Sequence, residues 1–414
     1  MPVFSIPLSG LNSSSAALTT IANNLANLNT VGYKQERTLF KDLFYQTIGS
    51  TGSGNPIQTG AGSAVDAVSS NFTPGSVETT GVNTDVAIGG DGFFVVEKDG
   101  VISYTRAGNF SKAKDGTLVT SNGETVLGFP AVNGQITQMQ GLAPVVVGGG
   151  YISPPNPTSS VNIVANLNAN ATVGDTDGVY TTPLTVYDSL GQAHSLKFQF
   201  TKTAAGTWDY QVSIPGADVG SANASVNIGT GTLTFDGDGQ LIAPAADVAG
   251  LQITGFADGA SPLTFDWQLY SGASGMITQV ASPSTTSSSS QDGFSSGSLQ
   301  TFTIGSDGVV EGTFSNGKSM ALAQLVLANF PNTQGLMRVG GNSYKETLAS
   351  GAAAVGAPGT GGRATVSGGA LELSNVDIAG EFAKLIMAQR GFQANARAIT
   401  TFDEITQETI NLKR

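Results

Sequence analysis

The only histidine in the sequence, His194, is the first residue whose chemistry has to be considered. Asp188 and Ser189 lie a few positions before it, and serine, histidine and aspartate are the residue types of a nucleophilic triad. The alternating apolar run that follows His194 predicts a strand, so a histidine at the surface or at a strand edge is the favoured interpretation. The chain contains no cysteine, which excludes disulfides, thiolate metal sites and cysteine nucleophiles.

Two glycine-rich segments resemble ligand-binding loops. The segment 89–92, GGDG, lies between two predicted strands and does not open a helix, so a tight hairpin is favoured over a phosphate loop. The segment 236–239, DGDG, resembles the start of a calcium loop. However, Leu241 stands where that loop needs glycine, and Asp247 where it usually has glutamate. We therefore expect hairpin turns at both segments, and predict no catalytic residue, no cofactor and no bound metal.

The charge and hydropathy of the chain limit its partners. Its formal net charge is -12 and no run rich in lysine or arginine occurs, so nucleic acid is not an expected partner. No apolar run reaches the roughly 18 residues that a membrane span needs, and we expect no membrane insertion. The amino end lacks the basic and apolar regions of a cleaved secretory signal.

The two ends of the chain carry an apolar pattern that predicts helices. Alternating spacings of three and four follow the 3.5-residue period of a helix that packs along another helix. The first helix is predicted to close at Gly32. The second is predicted from Ile378 to the carboxyl end, and Ser374 with Asp377 before it resembles a capping box. The predicted helix seam consists of Leu8, Leu11, Leu18, Ile21, Leu25, Leu28, Ile378, Phe382, Leu385, Phe392, Ala396, Ile399 and Ile410.

The middle of the chain predicts β-structure. It is rich in glycine, serine, threonine and valine, and dipeptides such as Asp99-Gly100 are strong hairpin signals. Turns about every ten residues in 161–290 predict a sandwich or barrel. The predicted fold is mainly β with terminal α-helices. The predicted divisions are an N-terminal helix (1–32), a connector (33–80), β-rich blocks at 81–150, 155–294 and 295–372, and a C-terminal helix (373–414).

Several stretches resemble a known family. The amino stretch SGLNSSSAALTTIANNLANLNTVGYKQERTLF and the carboxyl stretch SNVDIAGEFAKLIMAQRGFQANARAITTFDEITQETINL are similar to the signatures of bacterial flagellar axial proteins, which build the rod and hook. GGDGFFVV and YTRAGNFSKAKDGTLVTSNGETVLGF resemble the β domain of that family, and TVYDSLGQAHSLKFQF resembles its outer domain. The block at 161–290 favours a hook subunit over a rod subunit, because rod subunits of the family are shorter and lack it. The resemblance also implies that the terminal helices form a coiled-coil core domain around two nested β-rich domains. These would be an inner β domain (81–150 plus 295–372) and an outer β domain (155–294).

The resemblance implies a mechanical function. A hook subunit would self-assemble through its terminal helices into a curved tubular polymer, which acts as a universal joint between motor and filament. The residues of the helix seam would then carry self-assembly. The resemblance implies a location in the hook at the cell exterior, reached without a cleaved signal. The implied partners are further copies of the chain, the distal rod protein, the hook cap protein, the hook–filament junction protein, the hook-length control protein and the flagellar type III export apparatus.

Three other functions compete with this one. A distal rod subunit is the nearest alternative within the family. A β-rich surface adhesin or stalk would suit the acidic, glycine- and serine-rich composition, but it leaves the heptads at both ends without a role. A glycosidase would need two carboxylates across a cleft, and no such pair stands out in the sequence.

Overall fold

A helix lies near each end of the chain, and β-strands make up most of the sequence between them in the computed structural model, which describes residues 5–44, 46–148, 150–272 and 274–412. The prediction of a mainly β fold with terminal helices is confirmed. Residues 1–4, 413 and 414 of the two predicted helical segments lie outside the described residues.

The chain folds as two units. The first unit comprises Met1–Gly149, Thr301–Thr313 and Ser319–Arg414, and the second comprises Gly150–Gln300 and Phe314–Lys318. The second unit is therefore an insertion, which leaves both ends of the chain in the first unit.

The amino part of the first unit begins with the helix α1 and continues in short strands. The helix α1 spans Ser5–Ala26, and the short 3-10 helix Gln138–Gln140 lies near the end of this part. The strands are β1 (Glu36–Asp42), β2 (Gln46–Ser50), β3 (Pro56–Thr59), β4 (Ser63–Ser70), β5 (Val77–Thr79), β6 (Val86–Ile88), β7 (Phe93–Lys98), β8 (Val101–Thr105), β9 (Ser111–Lys112), β10 (Leu118–Val119), β11 (Thr125–Val132), β12 (Gln135–Ile136) and β13 (Ala143–Pro144).

The inserted block contains the longest strands and two 3-10 helices, Thr176–Gly178 and Gly216–Val219. Its strands are β14 (Ile152–Ser153), β15 (Ser160–Asn168), β16 (Val179–Tyr187), β17 (Ala193–Ala204), β18 (Thr207–Pro215), β19 (Ser225–Phe235), β20 (Leu241–Ala243), β21 (Val248–Ile253), β22 (Leu263–Gln268), β23 (Tyr270–Ser271), β24 (Ser274–Gly275), β25 (Ile277–Val280), β26 (Thr285–Gln291) and β27 (Gly297–Ile304).

The carboxyl part ends in the long helix α2, which spans Ile378–Asn411, and contains the 3-10 helix Thr333–Gly335. Its strands are β28 (Val309–Phe314), β29 (Ser319–Leu325), β30 (Leu327–Asn329), β31 (Met337–Gly340), β32 (Ser343–Lys345), β33 (Ala354–Gly356), β34 (Val366–Gly368) and β35 (Ala370–Glu372).

Strands from both parts of the first unit pair in one sheet. The order is β28-β29-β11-β7-β8-β32-β31, so the three strands that precede the insertion lie between strands that follow it. Phe93 of β7 and Tyr344 of β32 pack edge to face with their ring centroids 5.5 Å apart. The β7–β8 turn places Asp99 and Gly100 at φ values of 52° and 77°, as the tight hairpin predicted from that dipeptide requires.

The second unit is a sandwich of two five-stranded sheets. One sheet has the order β16-β17-β18-β19-β20, and the other has β21-β22-β15-β25 with β26 on β15. Apolar residues alternate with exposed ones along the strands, and those facing inward form one core. The largest fully buried side chains of this core are Trp208, Trp267, Phe198, Phe200, Phe265 and Ile163.

Four details differ from the sequence-based expectations. The helix α1 ends at Ala26, six residues before Gly32, because asparagines near its end bond their own backbone. The predicted connector at 33–80 contains two paired ribbons, β1 with β4 and β2 with β3. The serine-rich tract 281–293, whose low complexity predicts a domain boundary, forms β26 on the open side of β15. The segment 89–92 is not a hairpin, because β6 pairs with β34 and not with β7.

A truncation in the sandwich core tests the packing of the second unit. Phe198 is fully buried, and its ring lies 5.1 Å from that of Trp267. We expect Phe198→Ala to lower the free energy of unfolding of this unit by about 3–5 kcal/mol, because the lost ring leaves a cavity. Trp208 and Trp267 are the only tryptophans in the chain, so denaturant unfolding followed by tryptophan fluorescence reports this unit.

The matched control is Val179→Ala, on an exposed position of β16. Its effect should remain within about 0.5 kcal/mol. Similar unfolding midpoints for the two variants would contradict the assignment of Phe198 to the core.

Candidate functional site

The helices α1 and α2 pack against each other in antiparallel directions. Successive residues of α1 face residues progressively earlier in α2. Three facing pairs define the register: Gly10 with Asn395, Ser14 with Gly391, and Asn24 with Glu381. A Cβ atom at Gly10 would lie 2.7 Å from Oδ1 of Asn395, so glycine permits the close approach of the helices at this point.

The face of α2 that meets α1 differs in part from the predicted seam. Glu381 and Asn395 each precede a seam residue, Phe382 and Ala396, by one position. One residue turns an α-helix by about 100°. Phe382 is therefore turned away from the α1-facing surface. Phe392 and Ile399 follow Glu381 by eleven and eighteen residues, which returns them to within about 20° of the side of α2 that meets α1.

The seam residues of α1 are buried to different degrees. Ile21 is buried, and Leu8 is 51% exposed. Leu11, Leu18 and Leu25 are half-buried. Leu28, which is predicted in the helix, lies in the turn that follows Ala26. It is therefore not part of the helix or of its packing face.

The seam residues of α2 divide into an accessible and a partly covered set. Ile378 and Phe382 are each 52% exposed, and Ile410 is 64% exposed. The other four seam residues of α2 are half-buried: Leu385, Phe392, Ala396 and Ile399. Exposed apolar side chains of this size on one helix indicate a surface that another molecule covers.

The structure adds exposed apolar residues that the heptad pattern missed. Ile386, Met387 and Ile405 of α2 are at least half exposed. On the β1–β4 ribbon, Phe40 and Val68 are 46% and 54% exposed. The short alternation in the strands β1 and β4 is the sequence signal that could have identified the ribbon positions.

The start of α2 is capped by Asp377. Its carboxylate Oδ1 accepts a hydrogen bond from the Ala379 backbone N–H at 3.1 Å. The hydroxyl oxygen of Ser374 instead accepts a hydrogen bond from the Val376 backbone N–H. The predicted capping box, in which Ser374 is the cap, is therefore wrong, because the cap is Asp377. An aspartate at the cap also places a negative charge at the positive end of the helix dipole.

Asn24 joins the end of α1 to the start of α2 and to β1. Its side chain is almost fully buried, and Nδ2 donates to the backbone oxygen of Glu36 at 2.8 Å and to Oε2 of Glu381 at 3.0 Å. Its Oδ1 accepts from the Glu36 backbone N–H at 2.9 Å and from the Tyr33 hydroxyl at 3.2 Å. All the hydrogen-bonding capacity of this amide is therefore used within the first unit.

Glu381 completes this network from α2. Its Oε1 accepts from Nε2 of Gln35 at 2.8 Å and from Nζ of Lys384 at 2.7 Å. Burial alone would raise the pKa of the Glu381 carboxyl, but the bonds from Lys384, Asn24 and Gln35 outweigh it and lower that pKa. Glu381 therefore stays charged although it is only 1% exposed.

A second buried carboxylate, Glu372, lies where β35 leads into α2. Its Oε1 is 2.6 Å from Nζ of Lys34, and its Oε2 is 2.8 Å from Nη2 of Arg106. All three side chains are at most 2% exposed. The Gly75 backbone N–H also donates to Oε1 of Glu372 at 2.9 Å. We call Glu372, Lys34 and Arg106 the junction cluster. It joins the segment before β1, which contains Lys34, and the segment before α2, which contains Glu372, to the loop after β8, which contains Arg106.

The cations of the junction cluster are further bonded to backbone oxygens. Nζ of Lys34 donates to the Thr73 oxygen at 2.8 Å, and Nη1 of Arg106 donates to the oxygens of Gly90 and Gly92 at 2.7 and 2.6 Å. The loop at 89–92 therefore presents carbonyl oxygens to a cation, whereas a phosphate loop would present N–H groups to an anion.

The electrostatics of Glu372 make the junction cluster sensitive to acid. Burial would raise the pKa of the Glu372 carboxyl, but the charges and hydrogen bonds of Arg106 and Lys34 outweigh that effect and hold the pKa below its ordinary 4.5. A lowered pKa in the folded state stabilises the fold above the unfolded-state pKa. That contribution is lost as the pH falls through the folded-state pKa.

His194 lies among carboxylates in the second unit and not beside a nucleophile. Its Nε2 is 3.1 Å from Oδ2 of Asp188, and its Nδ1 is 3.2 Å from Oδ2 of Asp218. Ser189 Oγ accepts from the Ser261 backbone N–H, so Ser189, His194 and Asp188 do not form the arrangement of a triad. The imidazole is 5% exposed and packs on the Phe256 ring, which corrects the expectation of a surface histidine.

Two further chemical motifs can be placed. Asp188, His194 and Asp258 each offer one ligand atom within 4.8 Å of the others, and could share a metal ion. The segment 236–239 is the turn between β19 and β20. There Oδ1 of Asp236 accepts from the backbone N–H groups of Asp238 and Gln240. The hairpin turn predicted at 236–239 is observed.

Neither described helix is long and apolar enough to cross a membrane. The long helix α2 carries charged side chains at regular intervals along its length.

Four family models match the chain and together cover most of it. They are the flagella basal body rod protein (6–34), the flagellar hook protein FlgE/F/G D1 domain (87–176), the flagellar basal body protein FlaE D2 domain (156–294) and the flagellar basal body rod FlgEFG protein C-terminal (367–412). The two terminal helices pair with each other, and β-structure lies between them in the sequence. Together with these matches, this organisation defines a bacterial flagellar rod and hook protein.

Full-length relatives narrow this class. The chain is 33% identical to the flagellar hook protein FlgE of Treponema pallidum, over 98% of each chain. It is also 33% identical to the flagellar hook protein FlgE of Escherichia coli K12, over 99% of this chain and 100% of the relative. The chain belongs to the flagellar hook protein FlgE family. A crystal structure of Helicobacter pylori flagellar hook protein FlgE2 is similar over 70% of this chain and 98% of that chain, with 16% identity and a TM-score of 0.48.

Neutralising Glu372 tests the junction cluster. We expect Glu372→Gln to destabilise the first unit by about 3–5 kcal/mol at neutral pH, because Lys34 and Arg106 are left buried without their counter-charge. The variant should also lose part of the acid sensitivity of the wild type below about pH 4.5, since position 372 no longer titrates. Hydrogen exchange of peptides from β6 to β8 and from α2, measured against pH, reports both effects.

Glu78→Gln is the matched control, because Glu78 is an exposed carboxylate on β5 and lies opposite Leu371 in the neighbouring strand β35. It should behave like the wild type. Equal protection of these peptides in Glu372→Gln and Glu78→Gln would show that the junction cluster does not hold the first unit together.

Proposed function

We propose that this chain is a structural subunit of the bacterial flagellar hook. Copies of it would assemble into a curved tubular polymer that transmits torque from the rod to the filament while it bends. The observation that carries this proposal is the apolar heptad stripe of α2, of which the pairing with α1 leaves Ile378, Phe382 and Ile410 at least half exposed. Membership of the flagellar hook protein family supports the same function.

The exposed stripe supplies the driving force for assembly. Covering apolar surface is favourable by about 25 cal/mol for each Å² removed from water. Phe382 and Ile378 are half exposed in the single chain, so most of this gain is available only when a second copy packs along α2. The predicted helix seam would therefore act between copies more than within one chain.

In this proposal the helices and the β-rich units have different mechanical roles, and the combination suits a joint that bends. The helices would hold the tube together through close apolar contacts. The β-rich units face water with polar, sparsely charged surfaces, and such surfaces allow neighbouring copies to slide at small cost. In this proposal 155–294 is the outer β domain, and 81–150 with 295–372 is the inner one.

The partners and location follow from the family. The polymer would extend from the distal rod protein and grow beneath the hook cap protein. The hook-length control protein would limit the length of the polymer, and the hook–filament junction protein would bind at its end. Subunits would reach the cell exterior through the flagellar type III export apparatus. A distal rod subunit is less well supported, because the relatives from Treponema pallidum and Escherichia coli, which match along nearly their whole length, are hook proteins.

A charge placed in the stripe tests this function. We expect Phe382→Asp to raise the concentration needed for polymerisation at least about tenfold, because an aspartate would have to be buried at the contact between copies. The folded single chain should tolerate the change, since Phe382 is 52% exposed in it. Sedimentation and electron microscopy of chains seeded with hook fragments measure polymer yield, and hydrogen exchange checks the fold.

Val101→Asp is the matched control, because Val101 is 45% exposed on β8, away from both helices. It should polymerise like the wild type. Tubes of normal yield and length from Phe382→Asp would contradict the role of the stripe. Failure of the seeded wild type to polymerise would contradict the hook function itself.

A further inference from the structure

Three charged residues of α2 stand on one line along the helix. Arg390, Arg397 and Glu404 are each seven residues apart, and all three are exposed. Seven residues make almost two full turns of an α-helix, so such residues lie one above another about 10 Å apart. We call this set the charged line. Its order along the helix is basic, basic, acidic.

The charged line lies on the side of α2 that is turned away from α1. Arg390 follows Glu381, which bonds Asn24 of α1, by nine residues, or two and a half turns of the helix. Arg397 and Glu404 continue the line along that side. The charged line is therefore distinct from the α1-facing surface.

Among the described residues, the side chains of Arg390, Arg397 and Glu404 take part in no ion pair and no hydrogen bond. By contrast Lys384, six residues before Arg390, is paired with Glu381 at 2.7 Å. Two more acidic side chains, Asp403 and Glu408, are exposed close to Glu404. The carboxyl end of α2 is thus acidic, while its middle is basic.

We propose that the charged line pairs α2 of one copy with α2 of a second copy, parallel to it and displaced by fourteen residues, about 21 Å along the helix. In this register Glu404 of one copy lies beside Arg390 of the other. Neighbouring helix axes are about 8–10 Å apart, a separation that arginine and glutamate side chains span, as they do between parallel helices in coiled coils.

The distribution of charge selects this displacement over the alternatives. Without displacement, Arg390 and Arg397 would face their own copies. A displacement of seven residues pairs Glu404 with Arg397 but sets Arg397 against Arg390. An antiparallel arrangement that pairs Glu404 with Arg390 sets Arg397 against itself. With a displacement of fourteen, Arg397 faces Asn411 near the carboxyl end of the helix, where the dipole favours a cation.

A parallel contact between displaced copies uses different surfaces on the two copies, so it can continue from copy to copy. Each copy uses its acidic end toward one neighbour and its basic middle toward another, so the contact repeats without closing. This inference rests on the proposed hook function, and it adds the register and the side chains through which successive copies would meet.

Charge reversal tests the pairing. We expect Arg390→Glu and Glu404→Arg to raise the concentration needed for polymerisation at least about tenfold each, because like charges then face each other. The double variant Arg390→Glu/Glu404→Arg should return to within about twofold of the wild type. A mixture of the two single variants should also polymerise, since each supplies the residue that the other lacks; a contact within one chain would gain nothing from mixing.

Lys112→Glu and Glu311→Arg are the matched controls, because both positions are exposed on strands of the first unit. They should polymerise like the wild type. Wild-type yields from the single reversals, or no recovery in the double variant and in the mixture, would overturn the proposed pairing while leaving the hook function intact.

The cysteine-free sequence allows the register to be measured without polymer. Gln393 and Gln407 are exposed, fourteen residues apart, and follow Arg390 and Glu404 by three positions. When chains carrying Gln393→Cys or Gln407→Cys are mixed at high concentration and oxidised, disulfides between positions 393 and 407 should exceed both same-position products at least about threefold, because only the displaced register brings unlike positions together. A predominance of same-position disulfides, or no disulfide at all, would overturn the proposal.

Discussion

The ion pairs of Glu372 with Lys34 and Arg106 are the constraint on which the first unit depends. They connect the segment that leaves α1, the segment that enters α2 and the loop that follows β8. A buried carboxylate is costly unless both its oxygens are paired, so the three segments must come together for any of them to be stable there. Force applied to the helices of a polymer would reach the sheet through this point, where both terminal segments run side by side.

The contact between α1 and α2 combines polar side chains with partly buried apolar ones. Because it leaves Ile378 and Phe382 half exposed, apolar surface of α2 remains available to neighbouring copies. Here glycine, serine and asparagine allow the helices to approach, and Asn24 with Glu381 fixes their register through directional bonds. Polar contacts contribute less to stability than apolar ones, so the pair depends on the junction below it and on neighbouring copies along its length.

Much of the fold could be predicted from the sequence, because its signals are local. Alternation along the strands and Asp-Gly turns such as Asp99-Gly100 identify hairpins, and heptad spacing identifies α2 almost to its bounds. The sheet of the first unit could not be predicted, since β29 and β11 pair across the whole inserted unit. The candidate site could likewise be predicted only in part. Apolar spacing identified a stripe on α2, but only the structure shows that the pairing with α1 partly covers residues such as Phe392 and leaves Phe382 half exposed. Glu372 carries no periodic signal, because its partners are 338 and 266 positions away.

A helix with separate apolar and charged surfaces suits an open polymer better than a symmetric seam does. Apolar contact is strong but tolerates displacement along the helix, since one methyl group replaces another at little cost. Charged pairs contribute less free energy in water but penalise wrong partners through like-charge contacts. If the apolar stripe provides the attraction and the charged line provides the register, copies can repack as a tube bends without losing their order. The pairing with α1 would meanwhile keep each α2 oriented, so that both outer faces point toward neighbouring copies.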